Sequence, residues 1–314
     1  MQFDIVKCHG SGNDFVLIDG RALTLRDGDW ASVARAVADR AGPIGSDGLL
    51  VLGHGRGDSP FAMMMRNSDG SESGQCLNGL RCVARLGFER LGIDAAEVTL
   101  RDGSVAAARG EPLAPGVYTV VETAGPVSLD ARRWLVADGD EWIDRVIPGL
   151  PSSRAFTAVD IGNPHLIAFV ERVDDDELAA LGRFAEATPP LLPERANVSF
   201  VEARGGDGLF VRTCERGVGL TDSCGSAMAA ATFAACRTGR AGFDAALTVH
   251  NRGGRVVASA SADGRVTIRG NATWEWAGSV TVDLANARVV ALDIAERYAD
   301  EVAAWATLAA DDRG

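Results

Sequence analysis

Short apolar runs bounded by glycine, proline and polar clusters fill most of the first third of the chain. Runs of this length and composition are typical of β-strands. They predict strands at 3–6, 15–18, 49–52, 61–65, 98–100, 105–107 and 117–121. Two longer segments have helical spacing instead: Ala31 to Arg40 predicts a surface helix, and Leu77 to Leu91 predicts a second helix that ends at Gly92.

The second half of the chain repeats this plan. A strand–turn–strand pattern at 158–167 carries Asn163, as the pattern near the N-terminus carries Asn13, and the two asparagines are 163 − 13 = 150 positions apart. Cys224 follows Cys76 by 224 − 76 = 148 positions. Two landmarks at nearly the same spacing indicate the duplication of a unit of about 150 residues.

The helix predicted at Gly225 to Arg237 is apolar on all sides, which is typical of a helix enclosed by its own domain. The strand Ser279 to Asp283 is expected to return to the first half and close its sheet. The predicted fold is α+β, with two pseudo-symmetric domains, each a mostly antiparallel curled sheet or barrel around a central helix. The expected domains are residues 1–122 plus 276–314, and residues 123–275. A further helix is expected at about 294–308, with packing as its role and a homodimer contact as the alternative.

Composition and charge narrow the function classes. The formal charge of −12, with no basic stretch to offset it, argues against a nucleic-acid or anionic-membrane partner. The N-terminus lacks a signal-peptide pattern and no apolar run is long enough to span a membrane, so we expect a cytoplasmic protein. Lys7 is the only lysine and lies in a predicted strand, which argues against pyridoxal-phosphate chemistry. The histidines and cysteines lack metal-site spacing, so neither a cofactor nor a metal is expected.

Two of the six cysteines stand apart, because Cys76 and Cys224 each precede an apolar helix. The positive end of a helix dipole lowers the pKa of a thiol from about 8.5. Two such thiols, one in each half, suggest a paired base and acid. The other four cysteines are expected to be core residues: Cys82 and Cys236 lie within apolar helix runs, and Cys8 and Cys214 lie in strand-like patterns.

Seven short motifs resemble, in order, those of diaminopimelate epimerase, over residues 3 to about 283. They are HGSGNDF at 9–15, NSDGSE at 67–72, CLNG at 76–79, GNPH at 162–165, ANV at 196–198, ERG at 215–217 and CGS at 224–226. The resemblance implies a cofactor-independent epimerase that interconverts LL- and meso-diaminopimelate for lysine and cell-wall biosynthesis. Inversion of the α-carbon needs a base on one face and an acid on the other, which two thiols can supply.

The resemblance also implies roles for individual residues. Asn13 and Asn78 would bind the carboxylate at the reacting carbon, Glu215 would hold its ammonium, and His165 would support the cysteine environment. The distal end of diaminopimelate would be bound by four residues: Asn67, Asn163, Asn197 and Arg216. Backbone N–H groups at the two helix starts are expected to converge on the reacting carboxylate, from Leu77, Asn78, Gly225 and Ser226.

Three positions depart from the family pattern: Leu77 and Ala227 stand where glycine is usual, and Leu220 replaces a usual glutamate. They leave two alternatives open. One is a two-cysteine racemase of another amino acid, such as histidine or a hydroxyproline. The other is a ligand-binding or thiol redox protein without catalysis, which would show no exchange of the α-proton.

Overall fold

The computed structural model describes residues 1–139 and 141–311, which form two compact units. The first unit comprises Met1–Glu122 and the chain from Arg269 onward, and the second is Thr123–Ile268. The second boundary lies seven residues before the expected start at 276 (276 − 269 = 7). The reason is that the strand Thr273–Asp283 pairs with the first strand from its first residue, with Thr273 opposite His9.

The elements of the first unit up to its boundary are β1 Gln2–Gly10, β2 Asn13–Asp19, α1 Asp27–Ala38, β3 Gly48–His54, β4 Phe61–Asn67, β5 Glu72–Ser73, α2 Leu77–Leu91, β6 Ala95–Leu100, β7 Gly103–Arg109 and β8 Thr119–Ala124. The second unit contains β9 Arg145–Val146, β10 Ala155–Asp160, β11 Pro164–Val170, α3 Asp175–Glu186, β12 Asn197–Arg204, β13 Gly208–Glu215, β14 Gly219–Thr221, α4 Gly225–Arg237, β15 Leu247–Asn251, β16 Gly254–Ala260 and β17 Val266–Asn271. The first unit ends with β18 Thr273–Asp283, β19 Arg288–Arg297 and α5 Ala299–Asp311. Strands β8 and β17 each cross a unit boundary, after Glu122 and before Arg269.

Both units follow one pairing scheme. In the first, β1 and β2 form an antiparallel hairpin, β3 joins β2 in parallel, and β4 pairs antiparallel with β3 and β5 and parallel with β6. In the second, β10 and β11 form the hairpin, β12 joins in parallel, and β13 pairs antiparallel with β12 and β14 and parallel with β15. In each unit one helix, α1 or α3, follows the hairpin. A second helix, α2 or α4, follows the short strand β5 or β14 and precedes the next parallel strand, β6 or β15. The predicted α+β class and its internal duplication are confirmed.

The second helix of each scheme is the central one. Every residue of α2 from Leu77 to Phe88 is buried, and the helix packs against β1, β2, β3, β4, β6 and β7. In α4, Gly225 and all residues from Ala227 to Cys236 are buried, against β10–β13, β15 and β16. Both central helices are therefore enclosed by strands along most of their length. The predicted helix bounds at both places agree with the structure.

Three sequence predictions need correction. Helix α1 begins four residues early, at Asp27, because Trp30 joins its buried face. Helix α3 was missed, although Asp174 caps it by accepting hydrogen bonds from the backbone of Asp176 and Glu177, each at 3.0 Å. The segment expected to be helical from 294 is β19 up to Arg297, because its residues pair with β18. Tertiary pairing overrode the helical spacing there.

The C-terminal helix packs on its own unit. Trp305 and Leu308 of α5 are buried against Val117, and the Trp305 ring lies 5.7 Å from the ring of His9 between centroids. Glu301 accepts hydrogen bonds from Arg85 of α2 at 2.6 and 2.8 Å. Among the helices of 1–139 and 141–311, none has the length and apolar character to cross a membrane. Cys8, Cys82, Cys214 and Cys236 are all buried, as expected for core residues.

Candidate active site

Cys76 is the N-cap residue of α2. Its backbone is extended, with φ −148° and ψ 102°, and its carbonyl accepts the first helical hydrogen bond from Leu80 at 2.8 Å. Its sulfur accepts a hydrogen bond from the backbone N–H of Gly79 at 3.4 Å. A Cβ at position 79 would approach Leu50 to 2.7 Å, so glycine lets the first turn of the helix lie close to β3. The thiol is therefore held at the positive end of the helix dipole.

Two of the predicted residues meet Cys76. Asn13 begins β2 after a tight turn in which Ser11 and Gly12 have φ of 52° and 82°. Its Oδ1 lies 3.9 Å from the Cys76 sulfur and accepts a hydrogen bond from Asn78 Nδ2 at 3.4 Å. The Nδ2 of Asn13 donates to Asp47. Thus Asn13, Asn78 and Cys76 form one polar cluster, and Asp47 is a member that sequence analysis missed.

The single lysine has a structural role. Lys7 is buried, pairs with Asp14 and donates to the carbonyl oxygen of Gly45 at 2.7 Å. Arg40 donates to Asp14 at 2.6 Å and to Asp47 at 2.7 Å. These ion pairs hold the strand on which Asn13 lies.

The other two first-unit candidates are placed differently. Asn67 ends β4, and its Nδ2 donates to Ser71 Oγ at 3.0 Å within the turn to β5. Leu77 is the first residue of α2 and only 1% of it is exposed. A leucine at this position therefore places its side chain in the interior and leaves its backbone N–H at the helix start.

Cys224 is the N-cap residue of α4, as Cys76 is of α2. Its carbonyl accepts from Met228 at 3.1 Å, and its sulfur lies 3.5 Å from Ser226 Oγ. Burial raises the pKa of the Cys224 thiol well above its ordinary value, and the charge of Glu215 adds to the effect. Hydrogen bonds with Ser226 and with the N–H of Ala227 oppose it. The expected lowering of this pKa by the helix dipole is wrong, because burial outweighs the helix-terminal hydrogen bonds.

His165 on β11 links several second-unit candidates. Its Nε2 lies 3.0 Å from Asn163 Oδ1, 3.1 Å from Ser226 Oγ and 3.3 Å from Asn197 Nδ2. Burial and, secondarily, the charge of Arg216 lower the pKa of His165 to about 3. The ring is therefore neutral near pH 7 and serves as a hydrogen-bonding centre beneath the start of α4.

Glu215 and Arg216 lie at the end of β13, where the chain turns into β14. Glu215 accepts from Thr221 Oγ1 at 2.5 Å. The backbone N–H of Arg216 donates to Asn197 Oδ1 at 2.9 Å, and its guanidinium donates to the carbonyl of Glu194 at 3.0 Å. Asn13 and Asn78 thus lie beside Cys76 at the start of α2, and Asn163, Asn197 and His165 lie beside Ser226 at the start of α4, whereas Asn67 is held within its own turn.

Comparison with known proteins decides the family. The model of the diaminopimelate epimerase sequence family matches residues 5–112 and 157–275 of this chain. A diaminopimelate epimerase from Clostridium acetobutylicum is 37% identical over 291 residues, covering 90% of this chain and 87% of that protein. One from Listeria innocua is 35% identical over 291 residues, covering 88% of each. The chain belongs to the diaminopimelate epimerase family.

Solved structures of lower identity share the fold of this diaminopimelate epimerase family member. A predicted epimerase from Pseudomonas aeruginosa has a TM-score of 0.65 at 16% identity, covering 90% of this chain and all of that one. A hydroxyproline epimerase from Agrobacterium vitis has a TM-score of 0.64 at 14% identity, covering 90% and 92%. At these identities the likeness concerns the fold alone.

The three residues that depart from the family pattern can now be located in the structure. Leu77 and Ala227 are buried, whereas Leu220 on β14 is 37% exposed. No group of three His, Cys, Asp or Glu side chains among the described residues could hold a metal ion.

Sequence analysis also missed Arg81, a charged residue buried in the apolar part of α2 three positions after Asn78. Its sequence signal was an arginine on the buried face of a central helix.

Proposed function

We propose that this diaminopimelate epimerase family member interconverts LL- and meso-diaminopimelate, in the synthesis of lysine and cell-wall precursors. One observation carries the proposal: each duplicated unit has a cysteine as the N-cap of its central helix. One unit would supply the base and the other the acid. The relatives that carry the name diaminopimelate epimerase support the choice of substrate.

The proposed chemistry is balanced without a cofactor. One thiolate removes the α-proton, and the C–H electron pair stays on the α-carbon as a carbanion. The other thiol donates its proton to the opposite face and becomes the thiolate. One proton is accepted and one is given, with no oxidation or reduction, and the reverse reaction exchanges the two roles.

The surroundings of Cys224 suit a resting acid. Its raised pKa keeps it protonated, and the negative charge of Glu215 contributes to that rise. In the proposal, Glu215 binds the ammonium of the reacting centre. That positive charge would offset the effect of Glu215, so substrate binding would make the Cys224 thiolate easier to form.

The carbanion needs stabilisation at the carboxylate. Backbone N–H groups at the two helix starts are the proposed donors, from Leu77, Asn78, Gly225 and Ser226, with the side chains of Asn13 and Asn78 beside them. The proposed distal-end residues are Asn67, Asn163, Asn197 and Arg216. Contacts of Asn163 and Asn197 with His165 support this role by fixing both amides.

Proton NMR in deuterated water tests the proposal. The protein should remove the α-proton signal from LL- and meso-diaminopimelate, because the thiols carry deuterium in this solvent and each turnover replaces the α-proton with a deuteron. L-Histidine and trans-4-hydroxy-L-proline are the comparison substrates. Exchange with either of these at the rate seen for diaminopimelate would favour a broader racemase, and no exchange with any would favour a non-catalytic protein.

We also propose that the protein acts in the cytoplasm, where its substrate would be made and used. A homodimer remains a prediction that sedimentation can measure.

A further inference from the structure

Arg81 lies in the interior of the first unit, one helical turn after Asn78, and none of it is exposed. Its guanidinium donates in four directions. Nη1 donates to Glu122 Oε1 at 2.8 Å, and Nε donates to the carbonyl of Asn271 at 3.0 Å. Nη2 donates to Asn78 Oδ1 at 2.7 Å and to Ser11 Oγ at 3.1 Å. All three nitrogens of the planar group are therefore hydrogen-bonded, to residues from different parts of the first unit.

The contact with Asn78 decides which way that amide points. The oxygen and nitrogen of an amide are alike in size, so hydrogen-bond partners determine its orientation. Arg81 can only donate, which places Oδ1 of Asn78 toward it. The Nδ2 of Asn78 is then turned to Oδ1 of Asn13, 3.4 Å away.

Asn13 is consequently oriented from both ends. Its Nδ2 donates to Asp47, and its Oδ1 receives the hydrogen bond from Asn78. The same Oδ1 lies 3.9 Å from the Cys76 sulfur, where it can accept the thiol hydrogen. A reversal of the Asn78 amide would set two oxygens against each other and disturb this contact.

Close packing keeps the arrangement rigid. A Cβ at Gly10 would lie 2.5 Å from the carbonyl oxygen of Asn78 and 3.1 Å from Nη2 of Arg81. The end of β1 therefore lies directly on the first turn of α2. Glu122 is itself fully buried and pairs with Arg81. Burial raises the pKa of this carboxyl to about 7, so at pH 8 it is mostly ionised and balances the charge of Arg81.

We propose that Arg81 is a positioning residue for the Cys76 half of the site, acting through Asn78 on Asn13. The inference rests on the proposed function, because it assigns Arg81 to the same proton transfer. Lysine cannot replace it, since an ammonium is a single point of donation and cannot reach Asn78, Glu122 and Asn271 together.

The kinetic test is a double-mutant cycle. Arg81→Lys should lower kcat for diaminopimelate by at least about tenfold in the wild-type background, but by less than about twofold when Asn78 is already alanine. Arg85→Lys is the matched control: Arg85 is also buried on α2, one turn later, and pairs with Glu301. The control should leave kcat within about twofold in both backgrounds. An equal loss from Arg81→Lys in both backgrounds, or no loss in either, would overturn the proposal.

A second measurement needs no substrate. The rate at which iodoacetamide alkylates each cysteine can be measured by mass spectrometry of the peptides. Compared with the wild type, Arg81→Lys should change this rate at least threefold at Cys76 and leave it unchanged at Cys224. Equal rates at Cys76 in both proteins would refute the positioning role even if diaminopimelate proved not to be the substrate. If Arg81→Lys does not fold, Glu122→Gln replaces it in both tests, at pH 8. This substitution removes the ionised partner of Arg81 and so weakens that contact, while it keeps the shape of the side chain. An unchanged kcat and unchanged Cys76 alkylation in folded Glu122→Gln would then overturn the proposal.

Discussion

Replacement of His165 by glutamine should make the protein less sensitive to acid. Burial lowers the pKa of His165 to about 3, whereas an unfolded histidine has a pKa of about 6.5. Between these values the unfolded chain binds a proton that the folded chain does not. The free energy of unfolding therefore falls as the pH falls below about 6.5, by about 1.4 kcal/mol for each pH unit. At pH 5 this one group should cost about 2 kcal/mol.

His9 adds a second loss of the same sign. Burial is the main cause that lowers its pKa, to about 4. The wild type should thus lose about 4 kcal/mol between pH 7 and pH 5 from the two histidines together. Relative to the wild type, His165→Gln should remove about 2 kcal/mol of this pH-dependent loss, and His9→Gln should do the same. Other groups that titrate in this range, such as the buried Glu122 with its pKa raised to about 7, contribute equally to wild type and variant.

Urea unfolding followed by circular dichroism at pH 7, 6 and 5 measures the difference. The comparison should be made between slopes against pH, because the substitution itself also changes stability at pH 7 by removing hydrogen bonds. Equal slopes for the wild type and His165→Gln would refute the argument that a neutral, desolvated His165 lies beneath Cys224. The same neutrality predicts that any activity lost when the pH is lowered from 8 to 6 does not come from protonation of His165, because its pKa is about 3.

Three further predictions concern the site and its support. Cys76→Ser and Cys224→Ser should each lower epimerisation at least about a hundredfold while the fold persists, because an alkoxide base is hard to form near neutral pH; residual activity above a tenth of wild type, measured by α-proton exchange, would contradict the two-thiol mechanism. Arg216→Lys should lower kcat/KM for diaminopimelate, because an ammonium cannot make paired contacts to a distal carboxylate; unchanged kcat/KM would remove Arg216 from the substrate site. Gly182→Ala should destabilise the protein by about 1–3 kcal/mol or more in urea, since the new Cβ would lie 2.0 Å from the sulfur of Cys214; wild-type stability would show that α3 can move away from its sheet without cost.

Two substitutions serve as matched controls. Cys236→Ser alters a buried cysteine at the other end of α4, away from the helix N-terminus, and should leave α-proton exchange intact. Gly205→Ala places a Cβ with nothing within 4 Å and should leave stability within about 0.5 kcal/mol of wild type.

Much of the fold followed from local pattern. The apolar face of α2 and its glycine cap fixed that helix from Leu77 to Leu91, and α4 agrees at both ends. The spacing of the asparagine and cysteine landmarks revealed the duplication that strand pairing confirms. The segment 294–297 could not be assigned in this way, because its role depends on β18, a partner that its own residues do not specify.

For the site, sequence identified the chemical groups and the three-dimensional structure decided their state. Helix-start position alone predicted a lowered pKa for Cys224, but a thiol is also subject to burial and to Glu215, which the chain brings to it by folding β13 beside α4. Likewise, Arg81 appeared as one charge in an apolar helix until folding placed Asn78, Glu122 and Asn271 around it. Periodicity and capping act between near neighbours in the chain, so the sequence by itself determines them. Desolvation and hydrogen-bond networks join residues that are distant in sequence, so only the tertiary structure decides them.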